Sequence, residues 1–433
     1  MRISFDHAGI DDIACAADMR TLAPYVAVLQ DAVSDHTYAI PEAALACGND
    51  ERVLQEVHAL RERLGEKLKT VLLVGIGGSD LGARAVYETI QGHIVQYGGR
   101  SVPRLYSFGT VEPGVLRHVQ ALIEGHLDPE ELALVVVSKS GGTTETLTNA
   151  RVLFDAMEHV FGKEAAARQT VVISDAGTAL SEAVSGQGMT HIAMPHSVGG
   201  RYSVATAVGL VPLALLGIDV RAYAEGFAAG AQASVPENGV SSAAVLASVL
   251  ARGYMRGLTI HELFVWHPEL ETLGKWYRQL LAESIGKHTS SGESVGITPA
   301  VAVGSVDLHS HGQLVFGGPQ VRMTTFVAAP STWETSNVLR QGDTFPLSVL
   351  DGKTDGDVLR AIYDGVRSAY RSHDLPYVDL ELATLDAREL GAFMAVHMAS
   401  VMYLAQLLHV NAFDQPDVEA YKEETRRILA ASA

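Results

Sequence analysis

Cysteine is nearly absent from this chain: Cys15 and Cys47 are its only two, and neither sits in a CxxC or CxxxC pattern. That count excludes a disulfide framework and fits a reducing, cytoplasmic compartment. Basic residues are also scarce, 32 Lys and Arg against 50 Asp and Glu, for a formal net charge of -18. A nucleic acid or an anionic membrane needs a broad positive surface, so neither is expected as a partner. A small anion stays admissible where a few cations converge locally. Long hydrophobic runs are missing too. The longest, Val204 to Val220, is broken by Thr206, Pro212 and Asp219 and is shorter than a membrane span. It reads as a buried helix. The opening MRISFDHAGIDDIA has acids where a secretory signal needs a basic start and an apolar run.

What remains is the composition of a globular protein: 433 residues, 47% hydrophobic and 19% charged, long enough for two or three domains. Residues 1–66 read as mostly helical, with Pro41 at a helix start and Val53, Val57, Leu60 and Leu64 on one apolar face. From Thr70 short apolar runs alternate with helical stretches: VLLV, LYSF (105–108), LALVVV (132–137), TVVISD (170–175) and HIAMP (191–195). That alternation predicts βαβ units and a doubly wound parallel sheet. Residues 205–256 read as helices. The alternation then resumes with LTIHELFVW (258–266), a helix to about Ile285, ITPAVAVG (297–304), VRMTTFVAAP (321–330), YVDLEL (377–382) and an apolar helix around Met394–Leu408. A second α/β unit is expected there. A last helix is expected to start near Pro416, with Asp417 and Glu419 complementing its dipole.

The loop after LALVVV holds Ser138, Lys139, Ser140, Gly141, Gly142, Thr143, Thr144, Glu145 and Thr146. A strand, a tight polar loop and a helix start bring hydroxyls, free N–H groups and a positive dipole to one point, which is a phosphate site. Glu145 is awkward beside a phosphate, so it is turned away or bonded to neutral ligand hydroxyls. Gly75-Ile76-Gly77-Gly78-Ser79-Asp80-Leu81-Gly82 is not a dinucleotide fingerprint, because Asp80 stands where the third glycine is required. With no P-loop either, a nucleotide triphosphate is not expected. Val198 to Ser203 places Arg201 after a glycine pair, Gly199-Gly200, that permits close approach to a ligand. Gln279 and Glu283 share a helix face at i, i+4, and the glutamate sits near the helix end that Gly286 closes. A partly desolvated carboxylate there suits a general base. In Asp307-Leu308-His309-Ser310-His311 the two rings of H-x-H leave a helix on different sides and no third ligand is near, so no metal is expected and His309 is the functional candidate. Gln415 precedes the last helix, and Lys422 lies two turns further on.

Six blocks in order, GIGGSDLG (75–82), SKSGGTTET (138–146), GGRYS (199–203), QLLAESIGK (279–287), DLHSHGQ (307–313) and FDQPDVEAYK (413–422), make the chain resemble the phosphoglucose isomerase family in its shorter bacterial form. The resemblance implies two SIS-type α/β sandwich domains: an N-terminal helical segment at 1–66, domains at 67–225 and 226–410, and a helical tail at 411–433. It implies a cytoplasmic homodimer of glycolysis and gluconeogenesis that interconverts glucose 6-phosphate and fructose 6-phosphate with no metal and no cofactor. By position, Glu283 is then the base, Arg201 the enediolate stabiliser, and His309 and Lys422 the ring-opening residues, with His309 coming from the partner subunit. Ser138, Ser140, Thr143 and Ser79 hold the phosphate; Lys139, Glu145, Gly200, Gln279 and Gln415 complete the pocket. Two readings stay open beside it, a broader isomerase that accepts mannose 6-phosphate and a non-catalytic sugar-phosphate sensor. A sensor would lack the base, so Glu283, His309 and Lys422 together argue against it.

Overall fold

The computed structural model describes residues 1–92, 102–125, 128–334, 337–340 and 347–431. The chain opens with strand β1 (Arg2–Ser4) and helices α1 (Asp12–Ala32) and α2 (Glu51–Leu64). The first α/β run is β2 (Thr70–Val74), α3 (Leu81–Gln91), β3 (Arg104–Phe108), α4 (Pro113–Glu124), β4 (Leu132–Val137), α5 (Thr144–Phe161), α6 (Lys163–Arg168), β5 (Thr170–Ser174), α7 (Ala179–Val184) and β6 (Thr190–Ala193). Helices α8 (Ala207–Leu215), α9 (Val220–Ala233) and α10 (Ser242–Met255) follow. The second run is β7 (Ile260–Val265), α11 (Glu271–Ile285), a hairpin of β8 (Lys287–His288) and β9 (Ser294–Val295), β10 (Thr298–Val303), α12 (Leu308–Gly317), β11 (Arg322–Ala328), α13 (Asp355–Ser372) and β12 (Tyr377–Glu381). Helices α14 (Ala387–Leu407) and α15 (Glu419–Ala431) close the chain.

The strands form two five-stranded sheets, ordered β3-β2-β4-β5-β6 and β1-β12-β11-β7-β10. Within these two sheets all pairings are parallel except that of β1 with β12, and the β8–β9 hairpin stands apart as an antiparallel pair. The fold is therefore the expected α/β arrangement with parallel sheets. The N-terminal segment is mostly helical, as read, but its first residues, Arg2–Ser4, add an antiparallel edge to the second sheet. Every residue of β2 and β4 is buried, as strands covered on both faces require. Alternate side chains sort to opposite faces. Val71, Leu73, Val135 and Val137 of the first sheet and Leu263, Val265 and Val327 of the second join one large core with α8, α9, α10, α11 and α14. On the opposite face the first sheet packs Leu72, Val74, Leu134 and Val136 against Leu153 and Met157 of α5. The second packs Phe264, Trp266 and Phe326 against Tyr363 and Tyr370 of α13.

Val204 to Val220 contains the fully buried α8, as read, and α8 is capped by Thr206, whose hydroxyl accepts from the Val208 N–H. Among the described residues only α14 has the length and hydropathy of a membrane span, and 89% of that stretch is buried inside the fold. The last helix starts later than read: Pro416–Val418 is a single 3-10 turn and α15 begins at Glu419.

Candidate active site

The first sheet reverses its winding between β2 and β4, the position at which open α/β sheets leave a crevice for ligands. The glycine-rich turn follows β2 and the polar loop follows β4. In that loop Gly141 turns the chain at φ +64°, and a Cβ there would press on Thr178 at 2.9 Å. Thr143 precedes α5 in extended conformation without capping it; its hydroxyl instead accepts from Ser138 Oγ at 3.2 Å. The first-turn N–H groups of α5 therefore have no side-chain cap, and they face the loop with the positive end of an 18-residue helix. Ser140 Oγ accepts from the Gly142 N–H at 3.3 Å. Glu145 lies half-buried in the first turn of α5. Asp80, the residue that breaks the dinucleotide pattern, is buried and accepts from Ser107 Oγ at 3.0 Å, so it points into the fold. Burial pushes its carboxyl above the usual carboxylate range, partly offset by Arg84.

Lys139 donates from Nζ to the carbonyl of His196 at 2.6 Å, which ties the polar loop to the segment leading into Gly199-Gly200-Arg201. Burial lowers the Lys139 ammonium below its ordinary value, and Asp175 opposes that shift. The arginine turn then meets the glycine turn backbone to backbone: a Cβ on Gly78 would fall 2.1 Å from the Gly200 carbonyl carbon. Only glycine admits that approach. Gly77, at φ +62°, lies against α11, where a Cβ would touch Gln279 Nε2 at 2.7 Å.

Arg201 is 2% exposed, and all five of its N–H donors are used. Nε donates to Ser284 Oγ at 2.9 Å; Nη1 to Glu283 Oε2 at 3.2 Å and Gln415 Oε1 at 2.8 Å; Nη2 to the carbonyls of Ala412 at 2.6 Å and Asp414 at 3.1 Å. The other oxygen of Glu283, Oε1, accepts from Gln279 Nε2 at 3.0 Å. The carboxylate is thus held from both sides, while 35% of its side chain stays open to solvent. The i, i+4 spacing on α11 does here what it predicted. A fixed carboxylate with an open face, bonded to a buried guanidinium, can take a proton from a bound carbon acid while a positive charge stands beside it.

Ser284, Lys287 and Asp414 belong to this cluster and were not singled out from the sequence. Ser284 also contacts Tyr202 Oη at 2.9 Å, and the buried Lys287 pairs with Asp414 Oδ1 at 3.1 Å and donates to the Asp414 carbonyl. Ser284 and Lys287 lie in the QLLAESIGK block, and the signal was a serine and a lysine beside the glutamate at a helix end. Gln279, Glu283, Arg201, Gly200 and Gln415 are brought together. Ser79 folds back against Gly75 in the neighbouring turn. His309 and Lys422 are not in the cluster: His309 is exposed on α12 with no side-chain hydrogen bond among the described residues, and Lys422 pairs with Glu419 on α15 at 2.6 Å. Among the described residues no group of His, Cys, Asp and Glu has the arrangement of a metal site.

The whole architecture recurs in solved structures. A hypothetical protein from Thermus thermophilus superposes with a TM-score of 0.86 at 27% identity, covering 99% of each chain. A glucose-6-phosphate isomerase from Chlamydia trachomatis has the same fold, with a TM-score of 0.78 at 20% identity over 99% of this chain and 88% of that one. Fold and cluster define an α/β protein with a polar loop at an uncapped helix start and a carboxylate–guanidinium pair at the crevice of its first sheet. A model of the phosphoglucose isomerase sequence family matches residues 32–432. Glucose-6-phosphate isomerase of Symbiobacterium thermophilum is 34% identical over 88% of this chain and 84% of its own, and that of Bacillus anthracis 32% over 93% and 92%. The chain belongs to the phosphoglucose isomerase family.

Proposed function

We propose that this protein interconverts glucose 6-phosphate and fructose 6-phosphate by ring opening and a cis-enediolate, with Glu283 as the base. The observation that carries the reading is the clamp on Glu283, with Gln279 on one oxygen and Arg201 on the other. An aldose–ketose shift needs one group that removes the proton from C2 and returns it to C1. It also needs fixed positive charge where the enediolate oxygens develop, and a buried guanidinium held by Ser284, Glu283 and the carbonyls of Ala412 and Asp414 stands in place for it. Gln415 is exposed and shares Nη1 with Glu283, so its amide is the partner that substrate displaces to reach that N–H. The phosphate does not react. Bound by Ser138, Ser140, Thr143 and Ser79, it orients the reacting end. Lys139 and Glu145 complete the pocket around the sugar.

In the same proposal His309 and Lys422 assist ring opening, and the protein works as a cytoplasmic homodimer. Exposure of His309 outside its own cluster supports its delivery to the partner's site. Glu283→Gln keeps the size and loses the base. Isomerase activity of the purified protein is expected to fall about three decades or more, the scale of losing a general base together with its positioning. Activity within tenfold of wild type would remove Glu283 from the mechanism.

A further inference from the structure

Helix α12 carries His309 outward and His311 inward. His309 is exposed, whereas His311 turns to strand β7, its Nε2 3.1 Å from Glu262 Oε1 and its ring 6.2 Å from that of Phe264. Residues two apart on a helix point about 200° apart, so fixing one ring aims the other. Glu262 is 2% exposed in the middle of the second sheet, between β10 and β11. Its Oε1 also accepts from Arg322 Nη1 of β11 at 2.7 Å, and its Oε2 has no partner among the described residues. Both partners therefore converge on one oxygen. The chemistry proposed above makes no use of this buried carboxylate, and apolar packing would satisfy the strand equally well. Its second partner is a side chain of the helix that carries His309.

The start of the helix is tied down separately. Asp307 Oδ2 accepts from the Val303 N–H at the end of β10 at 2.7 Å, and Asp307 Oδ1 accepts from Ser310 Oγ at 3.1 Å. Those bonds fix where α12 begins, and Val315 and Phe316 in its later turns pack against the core of the second sheet, Phe316 with its ring 5.6 Å from that of Tyr370. The bond one turn on from Asp307, from His311 to Glu262, is the polar contact that holds the first turns, which carry His309, against β7.

We propose that Glu262, His311 and Arg322 form a positioning cluster that sets the rotation of α12 about its axis and thereby aims His309 at the substrate. The inference rests on the reading that His309 assists ring opening. It is tested by steady-state isomerisation of fructose 6-phosphate by the full chain, comparing wild type, His309→Ala, His311→Ala and the double variant. His311→Ala is expected to lower kcat about tenfold with KM within about twofold, and to have almost no further effect in the His309→Ala background. His311→Gln keeps a donor toward Glu262, is the variant to use if the alanine does not fold, and is expected to restore most of the lost kcat.

Equal fold losses from His311→Ala in both backgrounds, with His309→Ala itself impaired, would overturn the positioning role and leave the reading of His309 intact. Unchanged kcat in His311→Ala would do the same. Unchanged kcat in His309→Ala would overturn both.

Discussion

β2 and β7 hold the same place in their sheets, yet the crevices beside them are filled differently. In each sheet the first parallel strand is flanked by the second on one side and the third on the other, so winding reverses between β2 and β4 and again between β7 and β11. In the first sheet that crevice holds glycine backbone and the hydroxyls of Ser138, Ser140 and Thr143. In the second it is closed by aromatic rings and a histidine. His267 Nε2 accepts from both the Ala329 N–H at 3.1 Å and Trp333 Nε1 at 3.0 Å, and its ring stacks on Trp333 at 5.6 Å. Trp266 fills the remaining space, so closely that a Cβ on Gly304 would meet its ring at 2.6 Å. Strand order makes two crevices; among the described residues the second is filled by Trp266, His267 and Trp333, whereas the first presents N–H groups and hydroxyls. The second sheet serves the site indirectly, by presenting Glu283 on α11 at the border of the first.

The most damaging way to probe this difference is Trp333→Ala. It removes a buried ring and one of the two donors to His267 Nε2, so stability is expected to fall by about 3–5 kcal/mol. Denaturant unfolding measures the loss, and KM for fructose 6-phosphate at a temperature where the variant stays folded is expected to hold within about twofold, on the premise that remote truncations cost packing and not uniform binding. A large rise in KM would mean that the second crevice belongs to the binding site after all. The next test acts on the first crevice. Thr143→Val keeps the shape and removes the hydroxyl, and KM is expected to rise about 10- to 100-fold with little change in kcat, the value of one hydrogen bond to a charged group. Ser331, in the loop after β11, gives its hydroxyl to the Ala383 carbonyl at 2.6 Å. Ser331→Ala is therefore the matched control. Equal KM changes in the two variants would erase the distinction.

The parts of this arrangement that a reader of the sequence can see are those coded locally. Leu132–Val137 is an unbroken apolar run because neither face meets water, and Gln279 and Glu283 share a face because the helix repeat makes them neighbours. Arg201 was visible from its glycine pair, but its five bonds were not, since three of its partners come from residues 412–415, far along the chain. Lys287 and Ser284 were hidden for the same reason. β1 is three residues long, too short to show a period, and its pairing depends on the edge that β12 presents. Trp266 and Trp333 carry no signal of closing a common crevice until β7 and β11 lie side by side. His311 was passed over as the bland member of its pair because Glu262 sits in another segment.

The two sheets also differ in how they meet acid, which gives the smallest effect and the finest test. Beside the second sheet, burial pushes His261 down to about 3, and His397 on α14 down to about 4 against a bond to the Phe393 carbonyl. His261 is bonded on both nitrogens, to Tyr277 Oη at 2.7 Å and Thr325 Oγ1 at 3.0 Å, whereas His397 Nε2 has no partner among the described residues. Both folded values lie below the ordinary histidine value of about 6.5, so the unfolded chain takes up these protons first. Their penalty is absent above about pH 6.5 and grows as pH falls toward the folded values. His397→Leu keeps an apolar side chain against Phe393 and removes the titrating ring. Between pH 7.5 and pH 5 wild type is expected to lose on the order of 1–2 kcal/mol more than this variant, from one depressed histidine. Equal losses would show that the acid sensitivity lies elsewhere. Native-state hydrogen exchange at pH 5 places the effect, with protection of α14 and β7 in wild type falling before that of β2 and β4. Since β2 and β4 frame the polar loop at 138–143 and α14 packs on α11, mild acid is then expected to disturb the support of Glu283 before that loop.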